Sequence, residues 1–178
     1  MIRLHWIDTR ANAQLAVSAR PRGGEALEED VAAWASEGVC VVTSLLSEPE
    51  VRELELEHAP EVCASHGIQL VRLPIADMGV LSIDEALCER LGQLARHAAN
   101  EEPVLMHCRM GIGRATMLAV AVLAHLGQHP DEAWPRVREA RGCAVPDTQT
   151  QYYWTLEYAT HIDEQRRRAE SELDNLFG

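Results

Sequence analysis

The stretch His107-Cys108-Arg109-Met110-Gly111-Ile112-Gly113-Arg114 constrains the fold more than any other, because it lies between two apolar runs of different kinds. Val104-Leu105-Met106 before it is short and reads as a strand buried on both faces. Ala115 to Leu126 after it is apolar nearly all round and reads as a central helix. A strand must therefore end, a glycine-bearing loop turn and a helix begin within a few residues. A cysteine placed there stands at the positive end of the helix dipole, where unpaired backbone N–H groups favour an anion over a neutral thiol. Cys108 is thus expected to act as a thiolate nucleophile. Gly111 and Gly113 let successive N–H groups of Arg109, Met110, Gly111, Ile112 and Gly113 point into one concavity suited to a tetrahedral oxyanion. Arg114, at the helix mouth, can clamp two oxygens of that anion with its planar fork.

The rest of the chain reads as a frame for this loop. Short strands are expected at 3–7 and 15–18, followed by the basic turn Arg20-Pro21-Arg22-Gly23-Gly24. Leu27, Val31 and Trp34 fall at helical spacing within 25–37, and 39–45 and 68–73 read as buried strands. Between those strands Ser47-Glu48-Pro49 opens a helix reaching about His58, and Pro60 opens another ending at Gly67. Ser82-Ile83-Asp84-Glu85 reads as a capping box for a helix with the stripe Ile83, Ala86, Leu87, Leu91, Leu94 and Ala98. Further helices are expected at 131–141 and 148–162; beyond Asp163 the stripe is lost and a frayed tail is expected. Strands alternating with helical crossovers imply a parallel α/β core with helices on both faces. Ligands of such sheets bind outside the carboxyl ends of the strands. Cys108 lies at one such end and Asp77 shortly beyond another.

At 178 residues the chain reads as one domain. Its net charge of −12 argues against nucleic acid or an acidic membrane as partner. No run reaches the ~18 apolar residues of a membrane span, and the first residues lack a signal-peptide pattern. The cysteines at 40, 63, 88, 108 and 143 are odd in number and show no paired metal spacing, so a reduced, cytoplasmic setting is expected. An anionic ligand approaching so acidic a protein needs a basic mouth, which Arg109 and Arg114 would supply. The oligomeric state is left open.

His-Cys, five residues, then Arg, with glycines between, resembles the signature loop of the cysteine-dependent protein tyrosine phosphatases. Leu73-Pro74-Ile75-Ala76-Asp77 resembles the general-acid loop of their dual-specificity and kinase-associated branch. The likeness spans roughly residues 15 to 160. It implies a mixed, mainly parallel sheet of about five strands flanked by helices, in a phosphatase domain over 1–165 with a charged tail over 166–178. It also implies no metal or cofactor and a phosphomonoester substrate, a phosphorylated protein foremost and an inositol phosphate as the alternative. Cys108 would be the nucleophile, Arg114 and the loop amides the phosphate cradle, and Asp77 the acid and then the base. By residue type alone Asp77 could also be a turn aspartate. His107, which in the family orders the loop by hydrogen bonding, reads by itself as a satisfied core histidine. Asp147-Thr148-Gln149-Thr150-Gln151 loosely resembles the glutamine-bearing loop that positions the hydrolytic water; Gln151 matches, with an exposed first-turn helix residue as the plain alternative, and Asp147 stands where a first glutamine is often found. A basic residue after the cysteine, as Arg109 is, implies a second anion on the substrate. Family members usually carry Ser or Thr after the loop arginine, where its hydroxyl eases departure of the thiolate. Here Ala115 takes that place, and Thr116 lies about 100° further round the helix. Ala115 also keeps open a phospho-ligand binding module of the same fold that turns over slowly.

Overall fold

The computed structural model describes residues 2–10 and 12–177. Met1, Ala11 and Gly178, which fall within the expected domain and tail, lie outside the described residues. Strands β1 (His5–Trp6), β2 (Leu15–Ser18), β3 (Val41–Ser44), β4 (Gln69–Arg72) and β5 (Val104–His107) form one sheet in the order β1-β2-β5-β3-β4. Only β1 runs antiparallel to its neighbour; β2, β5, β3 and β4 are parallel. This is the mixed, mainly parallel α/β sheet expected from the sequence.

The strands β2, β3 and β5 are continuous apolar runs because successive side chains feed opposite layers. Val17, Val41, Val104 and Met106 enter the larger apolar cluster, with helices α4 (Glu85–Ala99), α5 (Arg114–His125), α6 (Pro130–Arg141) and α7 (Gln149–Phe177). Ala16, Val42 and Leu105 enter the smaller one, under α1 (Leu27–Ser36), α2 (Glu48–Glu53) and α3 (Ala59–Ser65). Helix α5 is buried from Arg114 through Ala124, as an all-round apolar sequence requires. It packs on β2 and β5 and is covered by α4, α6 and α7.

Four expectations are corrected. Helix α4 is capped by Asp84, whose side chain accepts from the Leu87 N–H at 2.8 Å, and not by Ser82. That two-residue shift puts Leu87, Cys88, Leu91, Leu94, Ala95 and Ala98 inward and leaves Ala86 exposed. The helix begun at Ser47 ends at Glu53 rather than near His58, and Glu55 adopts the left-handed region at φ 54°. Finally, α7 does not fray past Asp163 but runs on to Phe177. Pairs one turn apart, Asp163 with Arg166 and Glu164 with Arg168, support it, and Arg166 donates to the His125 carbonyl at the end of α5 at 2.8 Å. Among the described residues no helix is long and apolar enough to cross a membrane.

Candidate active site

The parallel register ends together: Ser18, Ser44 and His107 are cross-strand partners at the last position of β2, β3 and β5, and Ser44 pairs onward with Arg72 of β4. The loop from Cys108 to Gly113 leaves this edge and enters α5. Gly111 has φ 68°, and a Cβ there would meet the Ser18 carbonyl oxygen at 2.3 Å, so only glycine fits. A Cβ at Gly113 would meet an Asp147 carboxylate oxygen at 2.2 Å and Gln151 Oε1 at 2.9 Å.

Three consecutive loop carbonyls are engaged from outside. Arg20 N–H donates to Arg109 O at 3.3 Å, and Arg141 of α6 donates to Met110 O at 3.0 Å and Gly111 O at 2.9 Å. The N–H of a trans peptide points opposite to its C=O. The amides of Met110, Gly111 and Ile112 are thereby turned away from these donors, as a cradle for an oxyanion needs.

Arg114 is buried, and its fork is already clasped. Nη1 and Nη2 donate to the two carboxylate oxygens of Glu50 at 2.7 and 2.8 Å, and Nη1 also donates to the Ile75 carbonyl at 3.0 Å. Nη2 lies 3.1 Å from Asp77 Oδ1, whose side chain is otherwise exposed. Burial works to lower the Arg114 pKa, yet the Glu50 hydrogen bonds and the charges of Cys108, Glu50 and Asp77 outweigh it and move it up. Hydrogen bonding to Arg114 brings the Glu50 carboxyl down to about 2 against the cost of burial, helped by the Ser47 backbone N–H and hydroxyl. Glu50 is itself fixed by a capping box with Ser47 at the start of α2.

One turn on, Glu53 takes Arg109 by a two-pronged pair at 2.5 and 3.1 Å. The expected basic mouth is therefore corrected: each arginine is answered by a glutamate of α2, and Asp77 and Asp147 join the rim. The Arg109–Glu53 pair is at the surface, both side chains partly exposed. Cys108 lines a cleft of about 310 Å³ together with Asp77, Arg114 and Asp147, and Met78 and Met110 stand exposed at its mouth.

His107 is buried beside Trp34, ring centroids 5.8 Å apart, and burial lowers its pKa to about 4, so the ring is neutral. Its Nδ1 makes no well-formed hydrogen bond, although the adjoining Cys108 backbone works against the lowering by burial. Gln151 is fully buried and not the exposed helix residue of the plain alternative. Its Nε2 reaches the Gly79 carbonyl of the Asp77 loop at 3.4 Å, while Oε1 stays unpartnered beside Gly113. Sequence reasoning missed Glu50 and Arg141. Ser47-Glu48-Pro49-Glu50 carries the capping-box signal that fixes Glu50, but nothing local says which arginine it meets; Arg141 gave no signal beyond a position before Gly142.

A mixed, mainly parallel sheet with a cysteine-arginine loop between its central strand and central helix, and an aspartate loop facing it, defines a phosphatase of the dual-specificity branch. The chain belongs to the family described as polymorphic toxin system, DSP-PTPase phosphatase, whose model matches residues 16–128, from β2 through α5. It is similar to cyclin-dependent kinase inhibitor 3 of Rattus norvegicus, 25% identical over 134 residues, which cover 74% of this chain and 63% of that protein. It thus spans less than two thirds of the length of that relative. A crystal structure of kinase-associated phosphatase, with a serine in place of its catalytic-site cysteine, shares the fold at TM-score 0.80 and 24% identity, over 91% of this chain and 96% of that one. Tk-PTP in its active form follows at TM-score 0.66 and 26% identity, over 86% and 94%.

Proposed function

We propose that this phosphatase cleaves phosphomonoesters in two displacements through a phosphocysteine at Cys108. In the first, the Cys108 Sγ electron pair forms the S–P bond, the P–O bond to the leaving group breaks, and protonated Asp77 gives its proton to the departing oxygen. In the second, the Asp77 carboxylate takes a proton from water, the water oxygen bonds to phosphorus, and the S–P bond returns its electrons to sulfur. The sum is hydrolysis of the ester to an alcohol or phenol and phosphate. The amides turned inward by Arg20 and Arg141, with the N-terminus of α5, stabilise the equatorial oxygens. Arg114, held by Glu50, presents a preorganised edge to them. Gln151 Oε1, buried and unpartnered beside Gly113, suits a water-positioning role, and neutral His107 a supporting one.

The observation that carries this reading is the meeting of Asp77, from a loop 31 residues earlier, with Cys108 and Arg114 at one cleft above the carboxyl ends of the strands. The substrate we favour is a phosphorylated protein side chain. Exposed Met78 and Met110 give the mouth an apolar rim that suits a phosphotyrosine ring or a peptide, and Glu53, Asp77 and Asp147 disfavour a polyanion such as an inositol polyphosphate. With p-nitrophenyl phosphate and a phosphotyrosyl peptide, Cys108→Ser is expected to lose at least 10³-fold in kcat yet keep peptide binding, on the scale of losing a covalent nucleophile. Asp77→Asn is expected to slow the peptide far more than the nitrophenyl ester, whose leaving group needs little protonation. Retained turnover in Cys108→Ser sinks the mechanism; faster hydrolysis of inositol hexakisphosphate than of any peptide sinks the substrate assignment.

A second reading, a slow phospho-ligand binder, is favoured by Ala115. Ala115 is buried and bears no hydroxyl, and Thr116 spends its own on the Ile112 and Gly113 carbonyls. A stopped-flow burst of about one nitrophenolate per protein before a slower steady state is expected, and Ala115→Ser should raise the steady rate without changing the burst. A linear trace from the first turnover speaks against slowed dephosphorylation.

A further inference from the structure

On the face of the sheet covered by α1, α2 and α3, the last register position of the parallel strands carries a polar row: Arg72, Ser44, His107 and Ser18. The positions before it on that face are apolar, Ala16, Val42, Leu70 and Leu105. Above Arg72, Ser44 and His107 lies a cavity of about 170 Å³, walled by Trp34, Val51, Leu56 and Cys63. It shares no lining residue with the Cys108 cleft, and of its own lining only His107 has a role in the chemistry proposed there. Its size matters, because an apolar cavity of about 150 Å³ in another protein holds a benzene ring.

Three residues that line this cavity each carry a buried polar atom without a well-formed hydrogen bond: His107 Nδ1, Trp34 Nε1 and Arg72 Nη2. His107 and Trp34 are 3% and 2% exposed, so water at the surface does not satisfy them. Buried polar groups left unpaired are rare and carry their full desolvation cost, so each calls for an occupant. The indole and guanidinium nitrogens are donors only, and a neutral imidazole offers Nδ1–H in one of its two tautomers. The floor therefore asks for an acceptor. The rim restricts its charge: Glu48, paired with Arg72 Nη1 at 2.8 Å, and Glu57 both line the opening and repel an anion.

We infer that this cavity is a binding site for an uncharged single-ring molecule bearing a carbonyl oxygen, the ring against Val51, Leu56 and Cys63 and the oxygen facing Trp34 and His107. Because His107 is bonded directly to Cys108, the occupant sits against the back of the active-site loop.

The test titrates the whole protein with benzamide, and with toluene and benzoate as size-matched comparisons. It follows melting temperature and the indole N–H signal that disappears in Trp34→Phe. Benzamide is expected to shift that signal saturably, raise the melting temperature and bind at least tenfold more tightly than either comparison. Cys63→Leu, which fills the cavity, should abolish the shift while aryl phosphate hydrolysis stays within twofold; if that variant does not fold, Ala59→Phe at the wall serves the same purpose. No saturable shift with any probe, which means the cavity holds water alone, overturns the inference. So do equal or tighter binding of toluene or benzoate, and a shift that survives in the filled variant.

Discussion

Arg114 illustrates how a single charge can be placed so that it cannot wander. Its guanidinium is spent on Glu50 and the Ile75 carbonyl before any ligand arrives, which fixes the plane of the fork at the cost of three of its five N–H donors. Removing one partner of such a buried pair leaves the other uncompensated, a loss of about 3–5 kcal/mol in comparable cases. Glu50→Gln keeps the shape and one acceptor, so we expect a smaller loss of stability, about 1–3 kcal/mol on the scale of an imperfect buried hydrogen bond. The expected effect on catalysis is larger in proportion, because misplacement by about 1 Å can cost 10²-fold: kcat should fall about 10- to 100-fold with KM for a small aryl phosphate moving far less. Steady-state kinetics beside a urea melt separate the two. A rate loss no larger than the fraction unfolded would leave Glu50 a merely structural residue.

At the level of elements, what was legible was what is local. Val104–His107, its glycine loop and α5 were readable because an apolar β-type run, two glycines and an all-round apolar helix each have a period or a breaker of their own. The start of α4 was misread by two residues because Ser82 and Asp84 are both good caps and each precedes plausible helix. Only the packing of Cys88 and Ala95 into the larger apolar cluster decides between them. The far part of α7 was missed for the opposite reason: it has no apolar stripe, and its support comes from charge pairs along one helix and from Arg166 reaching the end of α5. The site divides the same way. Cys108, Arg114 and the loop glycines share one short motif, and Asp77 follows a readable strand. Glu50 and Arg141 reach the loop from α2 and α6, separated from their partners by 64 residues in one case and about 30 in the other, and their roles exist only once the strands are in order.

Across the whole molecule, each apolar layer holds a histidine that burial keeps neutral. His107 lies under α1 against Trp34, and His125 lies at the end of α5, its Nε2 within 2.7 Å of the Tyr158 hydroxyl. Burial lowers both to about 4, with Arg166 and Arg96 adding to the effect at His125, and His5 is moved the same way. The unfolded chain takes up these protons near the ordinary 6.5, while the folded protein refuses them until about 4. The stability they contribute is therefore present above about 6.5 and is lost as pH falls toward 4. With two protons more on the unfolded state, the slope approaches about 2.7 kcal/mol per pH unit near pH 5. Glu50 acts in a lower window, from its ordinary 4.5 down to about 2. The net charge of −12 works against the trend, since protonating carboxylates relieves self-repulsion, but that relief begins below about pH 5. The interval from pH 6.5 to 5 consequently isolates the histidines. Urea unfolding at half-unit steps across it should show stability falling steeply, and His125→Gln, which keeps a hydrogen-bonding side chain but cannot titrate, should about halve the slope. A flat profile over that interval means the folded protein admits these protons as readily as the unfolded chain, and the two layers are then wetter around their histidines than their packing implies.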